Sequence, residues 1–248
     1  MSKTRSHTDK KNMKTASWFA AAIFLLGLAV LGGLYMEQNT TITAIEFQGN
    51  HFSTEDELTG AFKSPIGMLA DSVDFRSLTD PLKTLPYVED VSMEMGFRGQ
   101  LTMNIRERQP IGLIIDGGKS VYIDKDGIRL PDRLQKSVDV PLVYGFAAEP
   151  IADTLNSDNF IQVRDFLVSA KQNSFGWLTI SEVAWNDREG VVALSHENGV
   201  KLIFGHDDFE NKFSHWEAFY AEVVSSKGIN SFRTVDLRFR DQIVAEEI

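Results

Sequence analysis

Residues 16–36, ASWFAAAIFLLGLAVLGGLYM, form a run of twenty-one with no charged side chain and no Asn or Gln. As a helix rising about 1.5 Å per residue, such a run reaches roughly 30 Å, the thickness of a bilayer's hydrocarbon core. Lys3, Arg5, Lys10, Lys11 and Lys14 precede it against one acid, Asp9. Basic flanks stay on the cytoplasmic side. The expectation is a single-pass anchor over residues 16–36, with 1–15 as a cytoplasmic basic tail and the bulk of the chain across the membrane. Trp18 and Tyr35 sit near the two ends of the run, where aromatic rings favour the interface, and Phe24, Leu25 and Leu28 would face lipid. A cleaved signal peptide is the rival reading. Its apolar region is usually shorter, and Leu31-Gly32-Gly33-Leu34-Tyr35 makes a poor cleavage site.

The net charge of −10 is unevenly spread. Past the tail, 20 Lys/Arg face 34 Asp/Glu, a net of −14. Such a surface repels phosphate, which argues against nucleic acid or anionic lipid as the main partner. The absence of cysteine removes disulfides, thiol catalysis and Cys-based metal sites, and favours a bacterial envelope over a eukaryotic secreted domain.

Beyond the run, apolar periodicity predicts a β-α-α-β-β unit. Residues 42–47 have strand composition, closed by the turn Gly49-Asn50. Ser53-Thr54-Glu55-Asp56 reads as a helix N-terminus with Ser53 as the cap, followed by Leu58, Ala61 and Phe62 at helical spacing. Ser64-Pro65-Ile66-Gly67 ends that helix. Asp74 caps a second one bearing Leu78, Leu82 and Leu85. Val88–Met95 and 101–106 are strands around Gly96-Phe97-Arg98-Gly99, the second with strict alternation of Leu101, Met103 and Ile105.

After Pro110 the pattern is mostly β. Strands are expected at 111–115, 121–124, 128–130, 180–185, 191–196, 200–204 and 232–239, with 242–245 as a further short one. Helices are expected at 159–171 and 207–225. One antiparallel sheet with a pair of helices is the simplest packing. The predicted class is α+β.

The order of several motifs resembles the FtsQ/DivIB family of bacterial division proteins. They are Ile45-Glu46-Phe47-Gln48-Gly49-Asn50, Val73-Asp74, Leu85-Pro86-Tyr87-Val88, and Leu101 through Pro110. In the second half they are Asp124-Lys125-Asp126-Gly127, Val140 through Gly145, Asn198-Gly199, and Val235-Asp236-Leu237-Arg238-Phe239. Tyr87 stands where the family often has Trp, Phe97-Arg98 where it has Trp-Pro, and Phe239 where it often has Tyr. The lost proline is expected to loosen that hairpin. The resemblance implies a POTRA domain at 37–110 and a β domain at 111–248. It also implies a non-catalytic inner-membrane scaffold at the septum, with its bulk in the periplasm. The implied partners are FtsB- and FtsL-like proteins, bound by strand addition to an edge formed by Val235, Asp236, Leu237, Arg238 and Phe239, with Gln242 and Ile243 beside it. Arg238 would offer a donor fork to a partner carboxylate, and Phe239 an apolar anchor. In the bland alternative both are ordinary sheet residues, with Phe239 in the core.

No catalytic motif, cofactor motif or small-molecule substrate is indicated. His206-Asp207-Asp208 is the only local metal-like cluster, at a strand-to-helix junction where acids serve as caps. Asp124-x-Asp126-Gly127 reads as a hairpin turn. A POTRA-bearing secretion subunit and an anchored peptidoglycan-remodelling enzyme are the rival functions.

Overall fold

A computed structural model describes Trp18 and residues 21–28, 40–133 and 136–248. Trp18 and 21–28 are helical, and Trp18, Phe24, Leu25 and Leu28 are exposed. Among the described residues no helix is long and apolar enough to cross a membrane. The basic tail, Tyr35 and most of the apolar run lie outside the described residues.

Two sheets organise the rest. The first carries β1 (Ala44–Gln48), β2 (Val88–Met95) and β3 (Gln100–Glu107) in the order β1-β3-β2, with β1 parallel and β2 antiparallel to β3. Helices α1 (Glu55–Ala61) and α2 (Arg76–Leu82) complete the β-α-α-β-β order. Leu101, Met103 and Ile105 are buried with Leu58, Leu78 and Leu82, as the alternation requires. In β2 the register shifts between Val88 and Asp90. The extra residue lets Val88 and Val91, three apart, join the same core.

The cap of α1 is Thr54 and not Ser53. Thr54 Oγ1 accepts the Glu57 N–H at 3.2 Å, and the Glu57 carboxylate accepts the Thr54 N–H at 3.0 Å. Ser53 is buried one residue earlier and gives its N–H elsewhere. The hairpin after β2 is closed by a hydrogen bond from Gly96 N–H to Gln100 O at 2.7 Å. Gly99 (φ +82°) permits its closure, since a Cβ there would meet Thr41 O at 1.9 Å.

The second sheet has nine strands. They are β4 (Pro110–Asp116), β5 (Lys119–Asp124), β6 (Arg129–Pro131), β7 (Leu142–Tyr144), β8 (Ile180–Asn186), β9 (Gly190–Ser195), β10 (Lys201–Gly205), β11 (Phe232–Asp236) and β12 (Val244–Glu247). Their order is β12-β11-β10-β9-β8-β7-β4-β5-β6. The sheet is mixed and not purely antiparallel, because β4–β7, β7–β8 and β10–β11 are parallel pairs. Helices α3 (Asp158–Gln172), α4 (Ser174–Thr179) and α5 (Phe209–Phe219) contribute to its main core. Phe166 packs its ring on Phe204, Phe209 and Phe213 at centroid distances of 4.8, 5.5 and 5.1 Å. Trp216 Nε1 donates to Thr179 Oγ1 at 3.0 Å, which satisfies the one polar atom of a buried indole.

The two sheets meet at a small core of Phe52, Tyr87, Tyr122 and Leu130. Phe52 and Tyr87 stack at 4.5 Å. Burial pushes the Tyr87 phenol well up, and its O–H donates to Pro131 O at 2.7 Å. Beneath this stack, buried Glu107 accepts the N–H groups of His51, Phe52 and Ser53 at 2.7, 2.6 and 2.6 Å. Arg108 bridges to Asp124 at 2.7 Å and Asp126 at 3.0 Å. Asp124 Oδ1 also accepts the N–H of Asp126 and Ile128, so the Asp-x-Asp-Gly segment is a hydrogen-bonded turn.

Candidate partner-binding edge

The last strands differ from the sequence expectation in their bounds and in which of them lies at the edge. The strand predicted over 232–239 ends at Asp236, and the one expected over 242–245 is Val244–Glu247. β11 lies between β10 and β12, so Val235–Phe239 is not the edge. Val235 and Leu237 are core residues. Leu237 N–H extends the parallel ladder by donating to Ile203 O at 2.9 Å.

Arg238 then turns the chain. Its backbone N–H reaches Asp236 Oδ1 at 3.0 Å, Nε lies at 2.9 Å from the same oxygen, and Nη2 lies at 2.6 Å from Oδ2. The fork expected to await a partner carboxylate is already filled by Asp236. Burial pushes the Asp236 carboxyl up, but the hydrogen bonds and charge of Arg238 outweigh it and hold the pKa below the ordinary value. Phe239 is not a core ring: it is 44% exposed.

The chain returns along Arg240–Ile243 to form β12. Ile243 and Ala245 pack against the main core, whereas Val244 is exposed. Among the described residues no strand pairs with the outer side of β12. Ile248 N–H donates inward to Ser231 O at 3.0 Å. Amide direction alternates along a strand, so Val244 and Glu246 also point inward and Ala245 and Glu247 point outward. The opposite edge of the sheet is covered. Arg129 N–H donates to Asp153 O at 3.0 Å, Ala152 N–H to Arg129 O at 2.9 Å, and Ile128 bridges Thr154.

Beside the open edge lies a groove of about 530 Å³. Its walls are His215, Ala218, Phe219, Glu222 and Val223 on one side and Arg240, Asp241, Gln242 and Ile243 on the other. Glu222 and Val223 belong to a π turn (Tyr220–Val224) that interrupts the helix expected over 207–225, before the short α6 (Ser225–Lys227). A π turn redirects the residues that follow it, so helical periodicity in the sequence did not reveal this wall. The rim of β12 is acidic, but Glu246 and Glu247 already pair with Arg233 and Lys227.

Other polar clusters are internally satisfied. His206 meets the Trp185 ring edge-on and contacts Gln162, Asp207 accepts from Lys212, and Asp208 accepts from Asn211. Among the described residues no cluster of three or more His, Asp or Glu could hold a metal ion. A second cavity of about 300 Å³ at the junction is lined by residues such as Arg108, Ile111, Val168 and Lys171. Burial pushes the Lys171 ammonium pKa down, and its Nζ donates to Pro110 O at 3.0 Å.

The family model described as FtsQ/DivIB, C-terminal related, matches residues 109–246. The cell division protein FtsQ of Rhodothermus marinus is 26% identical over 240 residues, covering 90% of this chain and 83% of that protein. FtsQ of Salinibacter ruber is 23% identical over 251 residues, covering 97% and 96%. The solved extracytoplasmic domain of the division protein DivIB from Geobacillus stearothermophilus is similar at 17% identity and a TM-score of 0.33, over 48% of this chain and 97% of that one. The family model spans more than half of the chain, and the chain belongs to the FtsQ/DivIB family of bacterial cell division proteins.

Proposed function

We propose that the chain is a non-catalytic divisome scaffold of the inner membrane. In this reading residues 16–36 anchor it, 37–110 form a POTRA domain, and 111–248 present a docking edge in the periplasm. FtsB- and FtsL-like division proteins bind that edge, and through them the chain influences septal peptidoglycan synthesis. The observation that carries this reading is the open outer side of β12 beside the groove walled by Phe219 and Ile243, while the far edge of the same sheet is covered. An incoming strand would gain main-chain hydrogen bonds from Ala245 and Glu247 and lay side chains into the groove. Phe239, half-exposed beside the turn, is an apolar contact of the kind that dominates binding energy. The family membership supports a division role, and the observed β-α-α-β-β order of residues 44–107 supports the POTRA assignment.

The test is capture of FtsB- and FtsL-like proteins from the same cell by the full-length chain in detergent. Saturable binding is expected. Its absence at micromolar concentrations of both partners would remove the scaffold reading.

A further inference from the structure

We propose that the end of the first sheet at which the chain enters is a lipid-contacting collar, seated on the surface of the bilayer that residues 16–36 would span. The proposal rests on the membrane-anchored reading above. Two loops flank residues 40–43. On one side, Ile42 N–H donates to Met68 O at 2.9 Å, Gly67 N–H to Ile42 O at 2.8 Å, and Thr41 bridges Leu69. On the other side, Thr43 N–H and its hydroxyl donate to Gly99 O and Arg98 O, each at 2.9 Å.

These loops and the end of β2 carry Ile66, Met68, Leu69, Met95 and Phe97 as exposed large apolar side chains, Phe97 at 81%. Their grouping around one short segment is what singles them out, because isolated apolar side chains are common on any surface. The charge pattern agrees. Past residue 15 the chain carries a net −14, yet residues 64–70 and 95–99 contain no acid and include one cation, Arg98. Arg98 lies over the Phe97 ring at 5.6 Å. An apolar ring beside a guanidinium suits the boundary between acyl chains and headgroup phosphates.

Chain length supplies the proximity. From Met36, the last residue of the apolar run, to Thr40 is four steps. Fully extended, that is at most about 14 Å. If the run spans the bilayer, Thr40 is held within that reach of the interface, and the two loops are tied to the segment that begins there. A collar seated there would fix the orientation of the first sheet relative to the membrane, which sets the direction in which the rest of the chain extends.

The chain has no cysteine, so one substitution gives one labelling site. The full-length chain is labelled with an environment-sensitive fluorophore at Phe97→Cys. It is then reconstituted in vesicles of phosphatidylethanolamine and phosphatidylglycerol, with and without brominated acyl chains. Leu178→Cys, 75% exposed on helix α4 beside the second sheet, is the aqueous reference, and Leu25→Cys reports on the anchor. The collar predicts blue-shifted emission at Phe97→Cys, most of which is lost in brominated vesicles, with no loss at Leu178→Cys. If Leu25→Cys is quenched and Phe97→Cys behaves as Leu178→Cys does, the collar is refuted and the anchor stands. If neither Leu25→Cys nor Phe97→Cys is quenched, both fall. A Phe97→Cys label shielded from aqueous iodide but unquenched by bromolipid would mean that protein covers the patch, which also refutes the lipid assignment.

Discussion

Glu107→Gln tests how residues 51–53, which place Phe52 in the core between the two sheets, are held. The Glu107 carboxylate accepts His51 and Phe52 N–H on one oxygen and Ser53 N–H on the other, all within 2.7 Å. A glutamine has one carbonyl oxygen. Its better orientation keeps His51 and Phe52 and turns its NH2 toward the Ser53 N–H, donor against donor. A buried unsatisfied donor costs about 1–3 kcal/mol. The two bonds that remain change from charge-assisted to neutral, weakening each by roughly half, or about 0.5–1 kcal/mol apiece. The sum is about 3 kcal/mol. For a protein of this size 1 kcal/mol shifts the melting temperature by about 2–4 °C, so Tm should fall by about 6–12 °C. The assay is thermal melting of the full-length chain in a non-ionic detergent, followed by far-UV circular dichroism. Amide hydrogen exchange at residues 51–53 should rise in parallel. A Tm within about 1 °C of wild type would refute the reasoning, because the site would then have repaired itself at no cost.

Two further outcomes follow from the packing and the charges. Asp236→Asn should lower Tm at neutral pH and flatten the acid side of the stability curve. A carboxyl whose folded pKa is depressed stabilises the fold above its unfolded value of about 3.9, and that contribution is lost as pH falls through the folded pKa. Melting curves of wild type and variant that stay parallel from pH 6 to pH 3 would contradict the Asp236–Arg238 account. Gly176→Ala should destabilise by about 1–3 kcal/mol, because the new methyl would sit 2.5 Å from Phe213 Cδ1 in a full core. Gly60→Ala, with nothing within 4 Å in the exposed part of α1, should instead be neutral or stabilising. Equal denaturant midpoints for the two variants would refute that contrast.

What the sequence revealed was local. The alternation of Leu101, Met103 and Ile105 placed β3 and its buried face, because one periodicity carries both facts. The helix over 159–171 was legible because Phe166, Leu167 and Ala170 recur on one face, and it lies within α3. The open edge of the second sheet was not legible. Strand order depends on pairings between residues far apart in sequence, and nothing in residues 232–248 says that β12 folds back to cover β11. The ion pair of Arg238 with Asp236 is a contact of near neighbours, yet the chain turn that closes it interrupts the strand expected through 232–239, and nothing local in the sequence announces that turn. β7 was missed because three residues after Pro141 are too few to show alternation. Ser53 and Thr54 are both good caps by type. The choice fell to Thr54 because Glu107, far away in sequence, captures the backbone of Ser53.

The central claim is that the open side of β12 receives a partner strand, and Glu247→Pro tests it most directly. The Glu247 N–H points outward, so proline removes a donor to the incoming strand while the inward ladder to β11 stays intact. The ion pair lost with Lys227 is exposed and worth little. Losing one edge hydrogen bond together with the steric block of the ring should weaken binding of an FtsB-like partner by about tenfold or more, with Tm unchanged. An unchanged dissociation constant in a variant with wild-type Tm would place the partner somewhere other than this edge.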